Sequence, residues 1–376
     1  MKQELQTTCP FCSLHCADLR LTIDGGRLTR FSPPCRLGRS SYSGALELLA
    51  ASEVVSPLKT SLRTAPRLLQ SSRRILVVLS ADVSNETVES SVRLAKHRSA
   101  VLAVEQESGS LLSLAMKTTG FLAGTLGELR DLPAVLLCGV DPARLHPRLA
   151  EFVRKDLSKE AIHLDPADPF DALRWLRLGL QEGSRNIPAR YTDALSRIKA
   201  ASSGVVFFGP AWLEAGQPLA NELLLWLRDL NRRGRWYAHY LSPGVNSHGV
   251  METLLASSGS ASGINFADPP GCSPHHWQAA RLMEEGWPDL CLLVGQPRTF
   301  SEKTLVNLRQ VKTVLLDPQP PAWKPALWLP VAQAGIDTYG SMHRLDGLPV
   351  TLAPILSSHR SRMETILEAL RTEDHP

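Results

Sequence analysis

The sequence predicts an α/β protein in which a small cysteine-containing hairpin precedes two lobes of alternating strands and helices. Four of the seven cysteines lie within the first 35 residues. Through the rest of the chain, short apolar runs bounded by Gly, Pro or Asp alternate with longer helical patterns. The runs are apolar at successive positions, which is typical of parallel strands covered on both faces by helices.

Length and charge limit the possible classes of protein. The chain has 376 residues, enough for two or three domains with cores of their own. Its net charge is only +4 and the charged residues are scattered, which does not favour nucleic acid or a membrane surface as partner. No apolar run is long enough to span a bilayer, and MKQELQTT does not resemble a signal peptide. We therefore expect a cytoplasmic protein.

The four N-terminal cysteines form the pattern C-x2-C-x3-C-x18-C, with Cys9, Cys12, Cys16 and Cys35. In a long cytoplasmic chain, such clustering favours metal binding over disulfides. Thiolates are soft ligands that suit iron–sulfur clusters or zinc. Zinc ribbons use two separated C-x2-C pairs, whereas three close cysteines and a distant fourth favour a [4Fe–4S] cluster. Zinc and a site that no longer holds metal remain alternatives. His15, inside the loop, is interpreted as a hydrogen-bonding residue rather than a ligand.

The segment between the third and fourth cysteines has the pattern of a β-hairpin. Leu19, Leu21 and Ile23 alternate with polar residues, and Asp-Gly-Gly follows at 24–26. Such a hairpin would bring the fourth cysteine back to the other three. With a helix expected over 40–55, we predict a cluster subdomain at residues 1–55. It is too small to be stable alone, so a metal or a neighbouring domain must stabilise it.

The remaining chain is predicted to form a first lobe at 56–200, a second lobe at 201–333, and a C-terminal loop and helix at 334–376. Helical patterning is clear at 171–180 and 221–233. The predicted strands are 75–80, 99–104, 134–142, 161–166, 204–210, 235–241, 289–295 and 312–318.

A loose internal repeat links the two lobes. Residues 134–145 resemble 289–300, and each stretch is followed by a strand ending in Leu-Asp-Pro, at Asp165 and Asp317. Two duplicated lobes would explain this, with ligands bound beyond the carboxyl ends of the strands. The alternative is that Gly-x-Pro after a strand is a common sequence pattern in α/β proteins and indicates no duplication. A second correspondence joins the openings of the two lobes, 73–80 and 203–210.

Common catalytic and nucleotide-binding motifs are missing from the sequence. There is no G-x-x-x-x-G-K-[ST], no G-x-G-x-x-G after a strand, no G-x-S-x-G and no H-E-x-x-H. Cys138 and Cys291 lie in apolar runs and are interpreted as buried small side chains. Cys272 with His275 and His276 is more typical of a packing loop than of a second metal site.

Six short stretches stand out in order along the chain. They are CPFCSLHCAD (9–18), CRLGRS (35–40), TLGE (125–128), CGVDP (138–142), HPR (146–148) and LPVAQAGIDTYGSMHRLDGLP (329–349). Together they resemble the B subunit of formylmethanofuran dehydrogenase, within the molybdopterin oxidoreductase superfamily. The resemblance implies two Rossmann-like lobes of the molybdopterin oxidoreductase type behind a [4Fe–4S] subdomain held by the four cysteines. In that family tungsten or molybdenum is bound by two pyranopterin guanine dinucleotides and one cysteine or selenocysteine.

One departure from this family concerns its redox metal. The protein ligand is expected upstream of TLGE, but no cysteine occurs between Cys35 and Cys138. Ser110 or Ser113 could instead bind the metal through oxygen, since other members of the superfamily use oxygen ligands. We therefore expect the tungsten or molybdenum bis-pterin to be absent, and we assign no catalytic residue. The residues that would correspond to the former pterin cleft are Asn246, Gly249, Gly340, Arg344 and Asp346.

The missing ligand makes the chain most similar to the B subunit of the bacterial formyltransferase/hydrolase complex. That complex transfers a formyl group from formyl-tetrahydromethanopterin to a methanofuran-like carrier and hydrolyses the amide to formate, during one-carbon oxidation of formaldehyde. The resemblance implies a non-redox subunit that packs against the amidohydrolase (A) subunit, with formyltransferase (D) and C-type subunits as further partners. The alternatives are an active tungsten or molybdenum dehydrogenase subunit and an iron–sulfur electron-transfer subunit of another complex.

Overall fold

The computed structural model describes residues 2–52, 58–105, 124–164, 168–181, 186–212 and 217–372. The chain forms two compact units. Unit 1 comprises Met1–Glu107, Gly244–Arg344 and Pro349–Pro376, and unit 2 comprises Ser108–Pro243 and Leu345–Leu348. Within the described ranges, no helix has both the length and the apolar character needed to cross a membrane.

The described elements are numbered in chain order. The strands are β1 Gln3–Thr7, β2 Leu19–Asp24, β3 Arg27–Ser32, β4 Ile75–Leu79, β5 Val101–Val104, β6 Ala134–Cys138, β7 Ile162–Leu164, β8 Ser203–Phe208, β9 Arg235–Tyr240, β10 Ile264–Asn265, β11 Gly271–Cys272, β12 Leu290–Val294, β13 Lys312–Asp317, β14 Leu327–Pro330, β15 Gly340–His343 and β16 Pro349–Leu352. The helices are α1 Arg36–Ser52, α2 Leu58–Gln70, α3 Asn85–His97, α4 Pro142–Leu145, α5 Leu149–Val153, α6 Pro169–Leu180, α7 Ala189–Ala200, α8 Gln217–Asn231, α9 Ser247–Ser258, α10 Ala279–Glu284, α11 Glu302–Leu308 and α12 Met363–Thr372.

The predicted N-terminal hairpin is present as β2 and β3, and β1 adds a third antiparallel strand. Its turn places Gly25 at φ 55° and Gly26 at φ 75°, the left-handed conformation that a tight hairpin turn requires. Helix α1 begins at Arg36, four residues before the predicted start at residue 40. Residues 53–55 of that predicted helix lie outside the described part of the chain.

The main sheet of unit 1 has the order β11-β10-β5-β4-β12-β13-β14. Strands β5, β4, β12, β13 and β14 are parallel, while β10 and β11 add an antiparallel edge. Every residue of β4 and β12 is buried, so both faces of the sheet are covered, as the continuous apolar runs predict.

Unit 2 contains a second parallel sheet with the order β7-β6-β8-β9. Its core is rich in tryptophan, with Trp212, Trp226 and Trp236 almost completely buried. Gly204 packs against Trp236: a Cβ at position 204 would lie 2.4 Å from the indole, so only glycine fits there.

The two sheets repeat one arrangement of strands. In each, the strand that opens the lobe (β4 or β8) lies beside a strand that is followed by glycine (β12 or β6). Gly295 and Gly139 both adopt positive φ there, and each donates its N–H to the next strand, at 2.8 and 3.0 Å. These matching details support the predicted internal repeat.

The observed units differ from the consecutive lobes expected at 56–200 and 201–333. Strands β4 and β5 share a sheet with β12, β13 and β14, although β6 to β9 come between these two groups in the sequence. Most of 334–376 belongs to unit 1, and Leu345–Leu348 belongs to unit 2. The consecutive boundaries assumed that strands pair with neighbours in the sequence, whereas Ile75 pairs with Leu290.

Candidate functional site

The first three cysteines lie in the cluster loop, residues 8–18, which connects β1 to β2. The loop is held compact by its own backbone: the N–H of Cys9 donates to the carbonyl of Cys16 at 3.0 Å, and that of His15 donates to Cys12 at 3.1 Å. Cys9 and Cys16 are buried, and Cys12 is half-buried. None of the three forms a disulfide.

Cys35 lies immediately before α1, at the positive end of the helix. Its Sγ accepts the N–H of Gly38 at 3.4 Å, a type of contact that stabilises a thiolate. Gly38 also packs against the ring of Phe31 on β3, where a Cβ would come within 2.7 Å. The Cys-Arg-Leu-Gly motif therefore joins the fourth cysteine, the start of α1 and the hairpin.

The four thiols interact electrostatically. Burial, followed by the charges of Cys12, Cys16 and Cys35, raises the pKa of the Cys9 thiol well above its usual range. Four ionised thiols in such a place repel one another, and a cationic metal centre removes that cost. In the described residues no group of three or more His, Cys, Asp or Glu converges to hold a single metal ion. In a cubane each thiolate binds a different iron, so the sulfur atoms surround the cluster instead of converging.

His15 is a hydrogen-bonding residue, as the sequence predicts. Its Nδ1 lies 3.0 Å from the carbonyl oxygen of Cys9, and its Nε2 lies 3.0 Å from that of Val245. The side chain is 1% exposed, and burial lowers the pKa of its imidazole. Both ring nitrogens thus face backbone oxygens, so His15 links the cluster loop to the segment that precedes α9.

Asn246 is fully buried at the start of α9. Its Nδ2 donates to the carbonyl of Val83 at 2.6 Å and to Oδ1 of Asn85 at 3.1 Å, and its Oδ1 accepts the N–H of His343 at 2.7 Å. Both amide N–H bonds are therefore used within the chain. Asn246 acts as a cross-link between α3, α9 and β15.

Gly249 and Gly340 are required by close packing around this cross-link. A Cβ at Gly249 would lie 2.1 Å from Oδ1 of Asn246, and one at Gly340 would lie 2.7 Å from the Cβ of Ala334. Next to Gly340, Ser341 donates its N–H and Oγ–H to Glu86 at 3.0 and 2.6 Å. The geometry gives both glycines a structural reason independent of any ligand.

The remaining two predicted residues fall in different units. Arg344 belongs to unit 1, and its charge contributes to the lowered pKa of His15. Asp346 belongs to unit 2, where its Oδ2 accepts the N–H of Leu126 at 2.9 Å. Because Leu126 lies in the TLGE stretch (125–128), this bond joins that stretch to the segment that carries Asp346.

A cleft lies beyond the carboxyl ends of the unit 1 strands, where open α/β sheets bind ligands. It consists of two adjoining cavities of about 120 and 330 Å³. The smaller one reaches Ser80, Gly295 and Pro318, which directly follow β4, β12 and β13. Residues that line both cavities are Phe11, Ser41, Gln296, Arg298, Asp317, Gln319 and Gln333.

Carboxylates dominate the charge around this cleft. Asp317 accepts the backbone N–H groups of Gln296 at 2.7 Å and Gln319 at 2.8 Å, and burial raises its pKa to about 6. Arg298 lies 2.7 Å from Asp82 and is exposed. Glu105, which accepts the N–H of Thr299, has its pKa raised by burial to about 7.

Sequence reasoning missed several polar residues of this cleft. Ser84, Thr87 and Glu364 meet at the N-terminus of α3, although Glu364 is far away in the sequence. The only local signal was Ser84 directly before a helical pattern, which is typical of a helix N-cap. Ser110 and Ser113 lie outside the described residues. Cys138 and Cys291 are buried in strands, as predicted, and Cys272 is exposed.

No family model matches the chain. Two curated relatives both carry the name of the B subunit of tungsten-containing formylmethanofuran dehydrogenase 2. The one from Methanocaldococcus jannaschii is 23% identical over 93% of this chain and 92% of its own length. The one from Methanococcus maripaludis is 21% identical and covers 93% of both chains.

A solved structure shares the fold. It is a chain of the formyltransferase/hydrolase complex (FhcABCD) from Methylorubrum extorquens in complex with methylofuran, with a TM-score of 0.70 and 18% identity. The match covers 85% of this chain and 96% of the other. The predicted resemblance to the B subunit of formylmethanofuran dehydrogenase is thus confirmed, and it extends over nearly the whole chain.

Proposed function

We propose that this chain is a non-redox B-type subunit of a formyltransferase/hydrolase complex that acts in tetrahydromethanopterin-linked oxidation of formaldehyde to formate. One observation carries the proposal. The chain resembles subunits of tungsten-containing enzymes over 93% of its length, yet it has no cysteine between Cys35 and Cys138 to ligate the metal. A redox metal needs its ligand set intact. The two parallel sheets support the assignment to two Rossmann-like lobes.

The partners follow from the same proposal. The neighbouring solved structure is a complex of several subunits. By analogy this chain packs against an amidohydrolase (A) subunit, with formyltransferase (D) and C-type subunits completing the assembly. The chemistry takes place on those partners, and this chain contributes a scaffold.

In this proposal Cys9, Cys12, Cys16 and Cys35 hold a [4Fe–4S] cluster with a structural role. The cluster, when bound, supplies positive charge that offsets part of the charge of the four thiolates, and it links the cluster loop to the start of α1. The compact loop and the N–H donated to Cys35 support this donor set. The hairpin gains folding free energy from the bound metal.

The test is an elemental analysis of the chain purified anaerobically with its partner subunits. We expect about four iron atoms per chain, as a [4Fe–4S] cluster requires, with tungsten and molybdenum at background level. Zinc in place of iron would replace the cluster by the alternative metal without changing the non-redox assignment. Stoichiometric tungsten or molybdenum would overturn the assignment.

A second candidate is an active dehydrogenase subunit, because both curated relatives are named as tungsten-containing enzymes. It requires an oxygen ligand, Ser110 or Ser113, in place of cysteine. Under this alternative, bound tungsten or molybdenum disappears when both serines are replaced by alanine. If these metals are absent from the wild-type complex, the alternative is excluded.

A further inference from the structure

The N-terminus of α3 occupies the place where open α/β sheets commonly bind phosphate. Helix α3 follows β4 and leads to β5, which is parallel to β4, so its first turn lies at the carboxyl ends of the strands. Unpaired N–H groups and the helix dipole attract anions to this position. A guanine dinucleotide of the kind found in the family has two such anionic phosphates.

In this chain the first turn of α3 already contacts a carboxylate. Oε1 of Glu364, from α12, accepts the hydroxyls of Ser84 at 3.1 Å and Thr87 at 2.6 Å. Ser84 is the N-cap and accepts the N–H of Thr87 at 3.3 Å. The polar groups that would contact a phosphate are thus used by the chain itself.

A second carboxylate increases the negative charge at the same turn. Glu86 accepts the N–H and Oγ–H of Ser341. Burial opposes ionisation of Glu86, but hydrogen bonds from Ser341 and from its own N–H hold its pKa below the usual value. Glu364 has a basic partner of its own, Arg362, at 3.3 Å. A phosphate at this turn would nevertheless meet the carboxylate of Glu364 at short range, because the half-exposed Arg362 offsets only part of its charge.

Helix α12 is packed firmly enough to keep Glu364 in place. Ile366, Leu367 and Leu370 are at most 1% exposed. At the other end of α3, Arg98 donates to the carbonyl of Leu370 at 2.8 Å. The smaller cavity of the cleft is bordered by Ser84, Thr87 and Glu364 together, so the carboxylate faces the space that a ligand would enter.

We propose that Glu364 occupies the position of a bound phosphate at the start of α3 in unit 1, so that helix α12 closes this site to the diphosphate group of a nucleoside diphosphate. The guanine dinucleotide of the family does not fit the residues present. The hydroxyls of Ser84 and Thr87 already donate to Glu364, and the charge of this carboxylate opposes that of a phosphate. The inference deepens the proposed function by naming the residue that excludes the dinucleotide. It does not depend on the partner subunits.

The test replaces Glu364 in the full-length chain and measures binding of GDP and of inorganic pyrophosphate by calorimetry. For wild type we expect a Kd for GDP weaker than about 1 mM. For Glu364→Ala we expect a Kd of about 0.1 mM or lower, at least a tenfold gain in affinity. Glu364→Gln keeps the shape and removes the charge, so a smaller gain is expected. Glu368→Ala is the matched control, because Glu368 lies on the same helix but pairs with Arg371 at the surface.

The inference is overturned if wild type binds GDP as tightly as Glu364→Ala, or if folded Glu364→Ala and Glu364→Gln both bind none. If Glu364→Ala does not fold, Glu364→Gln decides alone. Binding by Glu368→Ala equal to that of Glu364→Ala would also overturn it, since the effect would then be one of surface charge. None of these results alters the metal content or the assembly, so failure of the proposed function is recognised separately.

Discussion

The cluster loop and the N-terminus of α3 belong to the same unit, but their donor sets differ in kind. Around the cluster loop four thiols remain, with backbone N–H groups and the start of α1 arranged beside them. At α3 the donors are turned inward to Glu364 and Glu86. Under the proposed function, the four thiols still serve as metal ligands, whereas the polar groups at the start of α3 are occupied by the protein's own side chains.

The largest effect is expected from Cys12→Ser, which tests whether the cluster loop still binds metal. Iron should fall from about four atoms per chain to below one, and amide protection in β2 and β3 should fall because the hairpin loses its metal. Mass spectrometry of hydrogen exchange and iron analysis measure this. Cys272→Ser, at an exposed cysteine, is the control and should retain the iron. An unchanged iron content in Cys12→Ser would remove Cys12 from the ligand set.

Gly249→Ala tests the other side of the comparison, the packing of the protein's own side chains around the start of α3. The new Cβ would come within 2.5 Å of Oδ1 of Asn85 and closer still to Asn246, so the cross-link must move. We expect a loss of about 3 kcal/mol in the free energy of unfolding, measured by urea denaturation. A loss below about 0.5 kcal/mol would show that this network yields easily.

Glu105→Gln should change how stability depends on pH. Because the pKa of Glu105 is raised to about 7 in the folded state, its ionisation opposes folding, and wild type loses stability as pH rises from about 4.5 to 7. The variant lacks this loss and should exceed wild type by about 2 kcal/mol at pH 8, with no difference at pH 4.5. Asp317 titrates in both proteins, so its effect on the free energy of unfolding cancels when the two are compared. Urea denaturation at each pH measures this, and Glu89→Gln, at a surface ion pair on α3, is the control.

Gly44→Ala should give the smallest effect and act in the stabilising direction. Gly44 is exposed in the middle of α1, and a Cβ there would contact nothing within 4 Å. The gain should be about 1 kcal/mol or less, from helix propensity alone. A thermal melt that shows destabilisation instead would mean that this face of α1 is more crowded than the described contacts indicate.

Local patterns predicted the hairpin and most strands, because each depends on residues close in sequence. They also predicted that His15 forms hydrogen bonds, but not that one of its partners is the distant Val245. The alternation of Leu19, Leu21 and Ile23 is enough to give a strand with one buried face. The early start of α1 was missed because Cys35, which precedes it, was interpreted only as a ligand.

Contacts between distant segments could not be predicted from such patterns. The pairing of β4 with β12 decides the composition of unit 1, but nothing in either apolar run specifies its partner. Similarly, Glu364 contacts Thr87 across 277 residues of sequence. Its helix was expected to pack on the lobes, yet the sequence did not indicate which turn its carboxylate would reach.

The pairing of Ile75 with Leu290 has a consequence for synthesis of the chain on the ribosome. Strands β4 and β5 emerge early, but they lack their neighbours until β12 and β13 have been translated. The sheet of unit 2 is encoded entirely in the interval and can form first, since its contacts are closer in sequence. During that delay the edge of β4 that later pairs with β12 lacks its partner, and an unpaired strand edge of this kind favours association with other chains.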